Sequence, residues 1–136
     1  MNFHNIVLAI HNLLRWLVIL AAVLALARAY SGWLGRRAWT GQDRTAGVLF
    51  TTLLDVQFLF GIILVLMAGI GNLGSFLFEH VIPMVIAIAL AHIGSARARS
   101  AEGDQNRHRQ AAIWFTLAVL VVLIAIPWLR PLFPRL

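Results

Sequence analysis

The sequence predicts an all-α membrane protein, a single domain over residues 1–136 that forms an up-down-up-down bundle of four transmembrane helices. The composition is 61% hydrophobic and 12% charged, whereas soluble domains carry about 25% charged residues. Four apolar runs are each close to the roughly 20 residues that a helix needs to cross hydrocarbon. The connections between these runs are short, so neighbouring helices are expected to be antiparallel.

Each predicted helix is bounded by polar or turn-forming residues, and the four cover 6–29, 46–70, 75–96 and 111–129. The first has no positive charge before its apolar run and carries Arg15 inside it, so we interpret it as a retained helix and not as a signal peptide. The segment Gly71–Gly74 predicts a tight turn. The polar stretch Ala101–Gln110 predicts a loop, and Pro127 ends the fourth helix.

The arginines predict the orientation of the bundle. All 11 basic residues are Arg. Those near the first and third connections are Arg28, Arg36, Arg37, Arg44, Arg97, Arg99, Arg107 and Arg109. The second connection has none, and only Arg130 and Arg135 lie near the C-terminus. By the positive-inside rule, both Arg-rich connections are expected in the cytoplasm and both termini outside.

The composition also excludes several kinds of chemistry. The chain has no cysteine, which rules out a disulfide framework, an iron–sulfur cluster and a thiol nucleophile. The pI near 11.8 is of the kind found in nucleic-acid-binding domains. In a chain this apolar, membrane topology explains the arginines better. We therefore expect the lipid bilayer, and no nucleic acid, as a partner.

A short internal repeat predicts a tandem arrangement of two helical hairpins. Ala27–Ser31 aligns with Ala96–Ser100, and at the same offset His11 aligns with His80. At about 1.5 Å per residue, each His lies about 25 Å along its helix from the aligned Arg. The two histidines are therefore expected at equal depth near the outer face, and a pseudo-twofold axis along the membrane normal would bring them face to face.

His11 and His80 are candidate ligands of a b-type haem. In an up-down bundle the first and third helices are diagonal and parallel, so the two imidazoles could meet in the centre and bind one iron from opposite sides. Arg15 lies on the same helix face as His11 and could pair with a haem propionate. Pro83, one turn after His80, is expected to loosen the helix. The alternative is that both histidines are interfacial and bond to headgroups or backbone.

Arg15 and Asp55 are the charges deepest in the predicted membrane region, where an unpaired charge is costly. We expect them to form a structural ion pair that locks the first two helices, in preference to a proton relay. His92 has no obvious partner in the sequence, and His108 falls in the predicted loop. A second haem with two histidine ligands is therefore not expected.

Glu79 and His80 are adjacent near the predicted outer surface. With His4 and His11 they could form a site for Cu²⁺ or Zn²⁺, since imidazole and carboxylate suit these ions. The alternative for Glu79 is a solvated carboxylate at a helix start, which also suits the helix dipole. Both interpretations stay open at the level of sequence.

Several short motifs in the chain are similar to those of a known group of membrane proteins. They are His11-Asn12-Leu13-Leu14-Arg15-Trp16, Asp55 followed by Gly61, Phe78-Glu79-His80 with Met84, and Ile126-Pro127-Trp128. Over nearly the whole chain these resemble a group of small four-helix bacterial membrane proteins labelled cytochrome b-like. The resemblance implies a bacterial cytoplasmic membrane and a shared site, with haem b as its cofactor, marked by His11, Arg15, Asp55, Glu79 and His80. The chain lacks the arrangement of four histidine ligands that a two-haem cytochrome b of the b561 type has.

These observations lead to one expected function and two alternatives. The first is a haem protein that transfers electrons near the outer face, with a quinone or as a subunit of a larger redox complex. The second is a non-catalytic small subunit that stabilises a larger complex, or a homo-oligomer, through helix packing and lipid or pigment contacts. The third is the Cu/Zn-binding membrane protein. No catalytic residue is assigned, so an electron carrier or accessory subunit is favoured over a stand-alone enzyme.

Overall fold

The computed structural model describes residues 2–128, and this part of the chain is helical apart from short connections. The long helices are α1 (Phe3–Leu34), α2 (Gly41–Ala68), α3 (Ile82–Ser100) and α4 (Asp104–Ala125). A 3₁₀ turn (Ile70–Asn72) and a π-helical turn (Leu77–Val81) connect α2 to α3. Four helical segments are long and apolar enough to cross a membrane. The prediction of an all-α, four-helix, multi-pass membrane protein is therefore confirmed.

The helices are arranged as a ring in chain order. α1 packs against α2 and α4, and α3 packs against the same two helices, so α1 and α3 are diagonal. The seam between α2 and α3 is the least extensive of the four. We call the end where α1 and α3 finish the Arg-rich end, and the opposite end, which carries His11 and His80, the histidine end.

The centre of the bundle is built from small side chains around one aromatic pair. Most of the buried hydrophobic residues are alanines. Small residues let helices approach closely where lipid provides no hydrophobic driving force. The rings of Phe50 and Phe115 meet edge to face with centroids 5.4 Å apart. A Cβ on Gly47 or Gly94 would lie about 3.1 to 3.2 Å from the Phe115 ring, so these glycines make room for it.

Two helices begin earlier than the apolar runs indicated. α2 begins at Gly41 and not at residue 46 because Thr40 and Asp43 form a capping box, in which each satisfies a backbone N–H of the other. α4 begins at Asp104, so most of the predicted loop Ala101–Gln110 is helix. Only residues 101–103 connect α3 to α4, and Gly103 allows this with a φ of 80°. The predicted end of the fourth helix at residue 129, and Arg130 and Arg135, lie outside the described residues.

The Arg-rich end is held together around Asp43, which is buried. Arg28 Nε donates to its Oδ1 at 2.9 Å, and Arg37 donates to both carboxylate oxygens at 2.7 and 3.0 Å. The Thr40 backbone N–H and hydroxyl donate to Oδ2 at 2.8 and 3.0 Å. The hydrogen bonds from Arg37 to Asp43 raise the pKa of Arg37. One carboxylate therefore joins the end of α1, the connecting segment and the start of α2.

His108 completes this end, and its predicted place in a loop is wrong. It lies on α4 and is fully buried. Its Nε2 donates to the Arg37 carbonyl at 3.0 Å, and its ring packs on Trp39 with centroids 5.0 Å apart. A Cβ on Gly32 would overlap the imidazole, so the glycine is required for this packing.

Candidate functional site

The structure brings His11 and His80 together at the histidine end, as their equal depth predicted. Their ring centroids are 6.4 Å apart and their ring planes make an angle of 79°. His11 comes from α1, and His80 comes from the π-helical turn that leads into the diagonal helix α3. The two imidazoles therefore approach each other across the bundle.

The backbone that carries His80 is irregular for an identifiable reason. Pro83 has no N–H, so the Glu79 carbonyl lacks its usual helical donor. The chain responds with the π-helical turn Leu77–Val81, in which the Ile82 N–H donates to the Leu77 carbonyl. This confirms that Pro83 loosens the helix. Single π-helical turns of this kind occur frequently at functional sites.

His80 is oriented by the end of α4. Its Nδ1 lies 2.7 Å from the Ala125 carbonyl oxygen. That carbonyl belongs to the last turn of α4, where helical acceptors lack intrahelical donors. Because a carbonyl can only accept, Nδ1 must carry the proton, and Nε2 then carries the lone pair. This is the tautomer of a histidine that binds a metal through Nε2.

His11 is held by Gln57 of α2. The Gln57 side-chain amide nitrogen donates to the His11 carbonyl at 2.9 Å and lies 3.2 Å from His11 Nε2. Since an amide nitrogen only donates, Nε2 accepts and Nδ1 carries the proton. The ring lies over Gly61, where a Cβ would be 3.4 Å from Cε1.

Two polar atoms in this cluster are buried without a partner among residues 2–128, namely His11 Nδ1 and Gln57 Oε1. Buried polar atoms in proteins are normally hydrogen-bonded, and each exception calls for an explanation such as a water, an ion or a ligand. Both exceptions lie beside the facing pair of imidazoles. The cluster therefore has hydrogen-bonding capacity to which a water, an ion or a ligand could bind.

Arg15 is buried on α1, one turn from His11 on the same face. Its guanidinium carbon lies 5.9 Å from the centre of the Trp16 ring. The predicted ion pair with Asp55 is wrong: within residues 2–128 the partner of the Asp55 carboxylate is His92, with Nε2 and Oδ1 2.8 Å apart. The physical reason is that Arg15 points into the bundle whereas Asp55 lies on the outer surface of α2.

The four residues considered for a Cu/Zn site do not assemble as one. Within the described part of the chain, no group of three or more His, Asp and Glu side chains is placed to hold a metal ion. His4 is exposed, and its Nδ1 lies 3.5 Å from the Asn5 side-chain oxygen. Glu79 is exposed beside His80, which agrees with a solvated carboxylate.

The separation of the two imidazoles is close to what one metal ion between them would need. Metal–nitrogen bonds of about 2 Å on both sides, the length known for zinc–imidazole bonds, place two ring centroids about 6 Å apart. The observed separation is 6.4 Å. His11 Nε2 lies 3.2 Å from the Gln57 amide nitrogen, so it would have to leave this contact to bind a metal. Arg15 lies one turn from His11 on the same helix.

An apolar cavity of about 90 Å³ lies in the middle of the bundle, away from the histidine cluster. It is lined by residues of α1 and α4 and by Phe50, and its α1 residues run from Val18 to Leu26. Its lining has no polar surface, which suits an apolar group. None of the cluster residues lines it.

The sequence marked Gln57 only as a polar residue within an apolar run and gave no role to it or to the Ala125 carbonyl, which position the two imidazoles. Gln57 carries one available signal, since it is an uncharged polar residue in the middle of an apolar run. The role of the Ala125 carbonyl has no signal in residue type, because any residue there has a carbonyl.

Comparison with known proteins does not extend these observations. No protein-family model, no curated protein and no solved structure matches this chain.

Proposed function

We propose that this protein is a membrane electron carrier that holds a single haem b through His11 and His80. The observation that supports this most directly is the approach of two imidazoles from diagonal helices, with centroids 6.4 Å apart. The bacterial inner membrane is the compartment that the resemblance favours. The arginine distribution supports a histidine end that faces outward, so the haem would exchange electrons near the outer face.

The side chains around the imidazoles have distinct tasks in this proposal. The Ala125 carbonyl fixes the tautomer and direction of the His80 ring. Gln57 holds the His11 ring in its neutral form, and iron ligation through His11 Nε2 would replace the hydrogen bond from the Gln57 amide. That amide would keep its bond to the His11 carbonyl, so Gln57 would continue to link α1 and α2.

If His11 and His80 both held the haem, it would supply a one-electron couple. The chain would then serve electron transfer. Arg15 would pair with a propionate. A quinone, or a redox protein in a larger complex, is the class of partner that would give or take the electron.

The experiment is a reduced-minus-oxidised absorption spectrum of protein purified in detergent from haem-replete cells. We expect a low-spin b-type spectrum. His11→Ala and His80→Ala should each abolish it or convert it to a five-coordinate high-spin form, because each variant removes one axial ligand. Circular dichroism of both variants checks that the helices still form.

Matched controls are His4→Ala and His92→Ala, which remove histidines that do not face this site, and both should leave the spectrum unchanged. A wild-type protein without haem after expression with added haem precursor, or an unchanged spectrum in His11→Ala, would contradict the proposal. The first of these outcomes would favour the small accessory subunit instead.

A further inference from the structure

A polar pair lies on the outer surface of the bundle, at the seam between α2 and α3. His92 Nε2 and Asp55 Oδ1 are 2.8 Å apart, and both side chains are 50% exposed. Apolar side chains, such as Leu59 and Ile93, lie beside the pair on the same surface. This pair is therefore not part of the bundle interior or of the histidine cluster.

The pair lies within the apolar helices and faces outward. Asp55 is near the middle of α2, about 20 Å along the helix from either end, and His92 is about 12 Å from the end of α3 at Ser100. Lipid tails offer no hydrogen bonds, and polar side chains within membrane helices normally face a protein interior or a water-filled cavity. A second protein surface would supply polar contacts that lipid tails do not.

The pair is complementary to itself. The structure assigns one bond, between Nε2 and Oδ1, and gives no partner within residues 2–128 to His92 Nδ1 or to Asp55 Oδ2. With a protonated imidazole the pair is neutral overall and presents one N–H donor and one carboxylate acceptor. A second copy related by a twofold axis presents the same two groups in reverse order, which is the requirement for an isologous contact.

We infer that the surface formed by Thr52, Asp55, Ala89, His92 and Ala96, the α2–α3 face, binds a second copy of this chain. Each His92 would donate to Asp55 of the other copy, so that two intramolecular pairs become one four-membered polar network. Thr52, Ala89 and Ala96 are small or short, which allows helices to approach closely beside the pair, and larger apolar side chains such as Leu59 lie further along the same surface. This inference does not depend on haem binding.

The chain offers a clean experiment because it contains no cysteine. Ala89→Cys places a thiol one turn from His92, close to the proposed twofold axis. Oxidative crosslinking in native membranes should give a product of twice the mass of the chain. Leu20→Cys, which is exposed on α1 away from this face, is the matched control and should stay monomeric.

The polar network is tested in the Ala89→Cys background. Asp55→Leu with His92→Leu removes both polar groups from a lipid-facing surface, so the monomer should keep its helices. The loss of two symmetric contacts should lower dimer formation about tenfold or more, judged from interhelical hydrogen bonds in membranes. Asp55→His with His92→Asp keeps a self-complementary pair and should retain the crosslink.

Three outcomes would overturn the inference. One is equal crosslinking of Ala89→Cys and Leu20→Cys, which indicates random collision. The second is a crosslink that survives the double leucine substitution, and the third is an adduct whose mass belongs to a different protein. Because the double leucine variant should keep the haem spectrum, failure of this inference and failure of the proposed function are distinguishable.

Discussion

The two ends of the bundle differ in how their central polar groups are bonded. At the Arg-rich end, both oxygens of Asp43 are occupied by donors from Arg28, Arg37 and Thr40, although Asn106 Oδ1 and His108 Nδ1 lack a partner among the described residues. At the histidine end, His11 Nδ1 and Gln57 Oε1 are buried without a partner in the described part of the chain. The Asp43 cluster holds the fold together, whereas the cluster around His11 leaves hydrogen-bonding capacity unused at its centre.

His108, which is fully buried, and His11, which is partly buried, make the same contrast on one residue type. His108 donates through Nε2 to a carbonyl, so its Nδ1, which also lacks a partner, is an acceptor. His11 accepts at Nε2, so its unpartnered Nδ1 is a donor. Buried donors without an acceptor are rarer in proteins than under-used acceptors. The unpartnered donor of His11 is therefore the less usual of the two cases.

The largest effect should come from breaking the Arg-rich end. Asp43→Ala removes two ion pairs and the helix cap of α2, and it leaves two arginines without their carboxylate. We expect a loss of about 3 kcal/mol in the free energy of unfolding, at the low end for a buried pair because both arginines are partly exposed. Denaturant unfolding followed by circular dichroism measures it. Glu102→Ala, at an exposed carboxylate on the same end, should change little, and equal losses would contradict the assigned role.

A smaller loss is expected from the packing of His108. In Gly32→Ala the new methyl group would overlap the imidazole of His108, which is fully buried. Overpacking of this kind costs about 2 kcal/mol, measured in the same unfolding assay. The control is Gly41→Ala, where a Cβ meets no atom within 4 Å. If the two variants unfold alike, the close packing at Gly32 is not a determinant of stability.

The smallest effect on stability should come from the histidine end, where function should suffer most. His11→Leu replaces an incompletely bonded imidazole with an apolar side chain of similar size. We expect the free energy of unfolding without haem to change by less than about 1 kcal/mol, while the haem spectrum is lost. A loss as large as that of Asp43→Ala would show that His11 is a structural residue, and the contrast between the ends would then fail.

Much of the fold follows from the sequence because lipid imposes strong constraints. An apolar run of about 20 residues can satisfy its backbone polar groups in hydrocarbon only as a helix or within a closed barrel. Short connections then require antiparallel neighbours. The equal depth of His11 and His80 could also be predicted, because each lies the same number of residues from its aligned arginine and the rise per residue of an α-helix is constant. Helix ends were less predictable, because polar helix outside the membrane, as at Asp104, lacks an apolar signal.

The sequence by itself determined the class of protein, the number of helices and the equal depth of His11 and His80. The tertiary structure alone decided which polar groups meet, because depth leaves the rotation of each helix undetermined. That rotation directs Arg15 inward and Asp55 outward, so Asp55 bonds to His92 on the far side of α2. It also directs Gln57 to His11 and the end of α4 to His80. Residue types restrict these contacts, but only the packing of small side chains between helices selects among them.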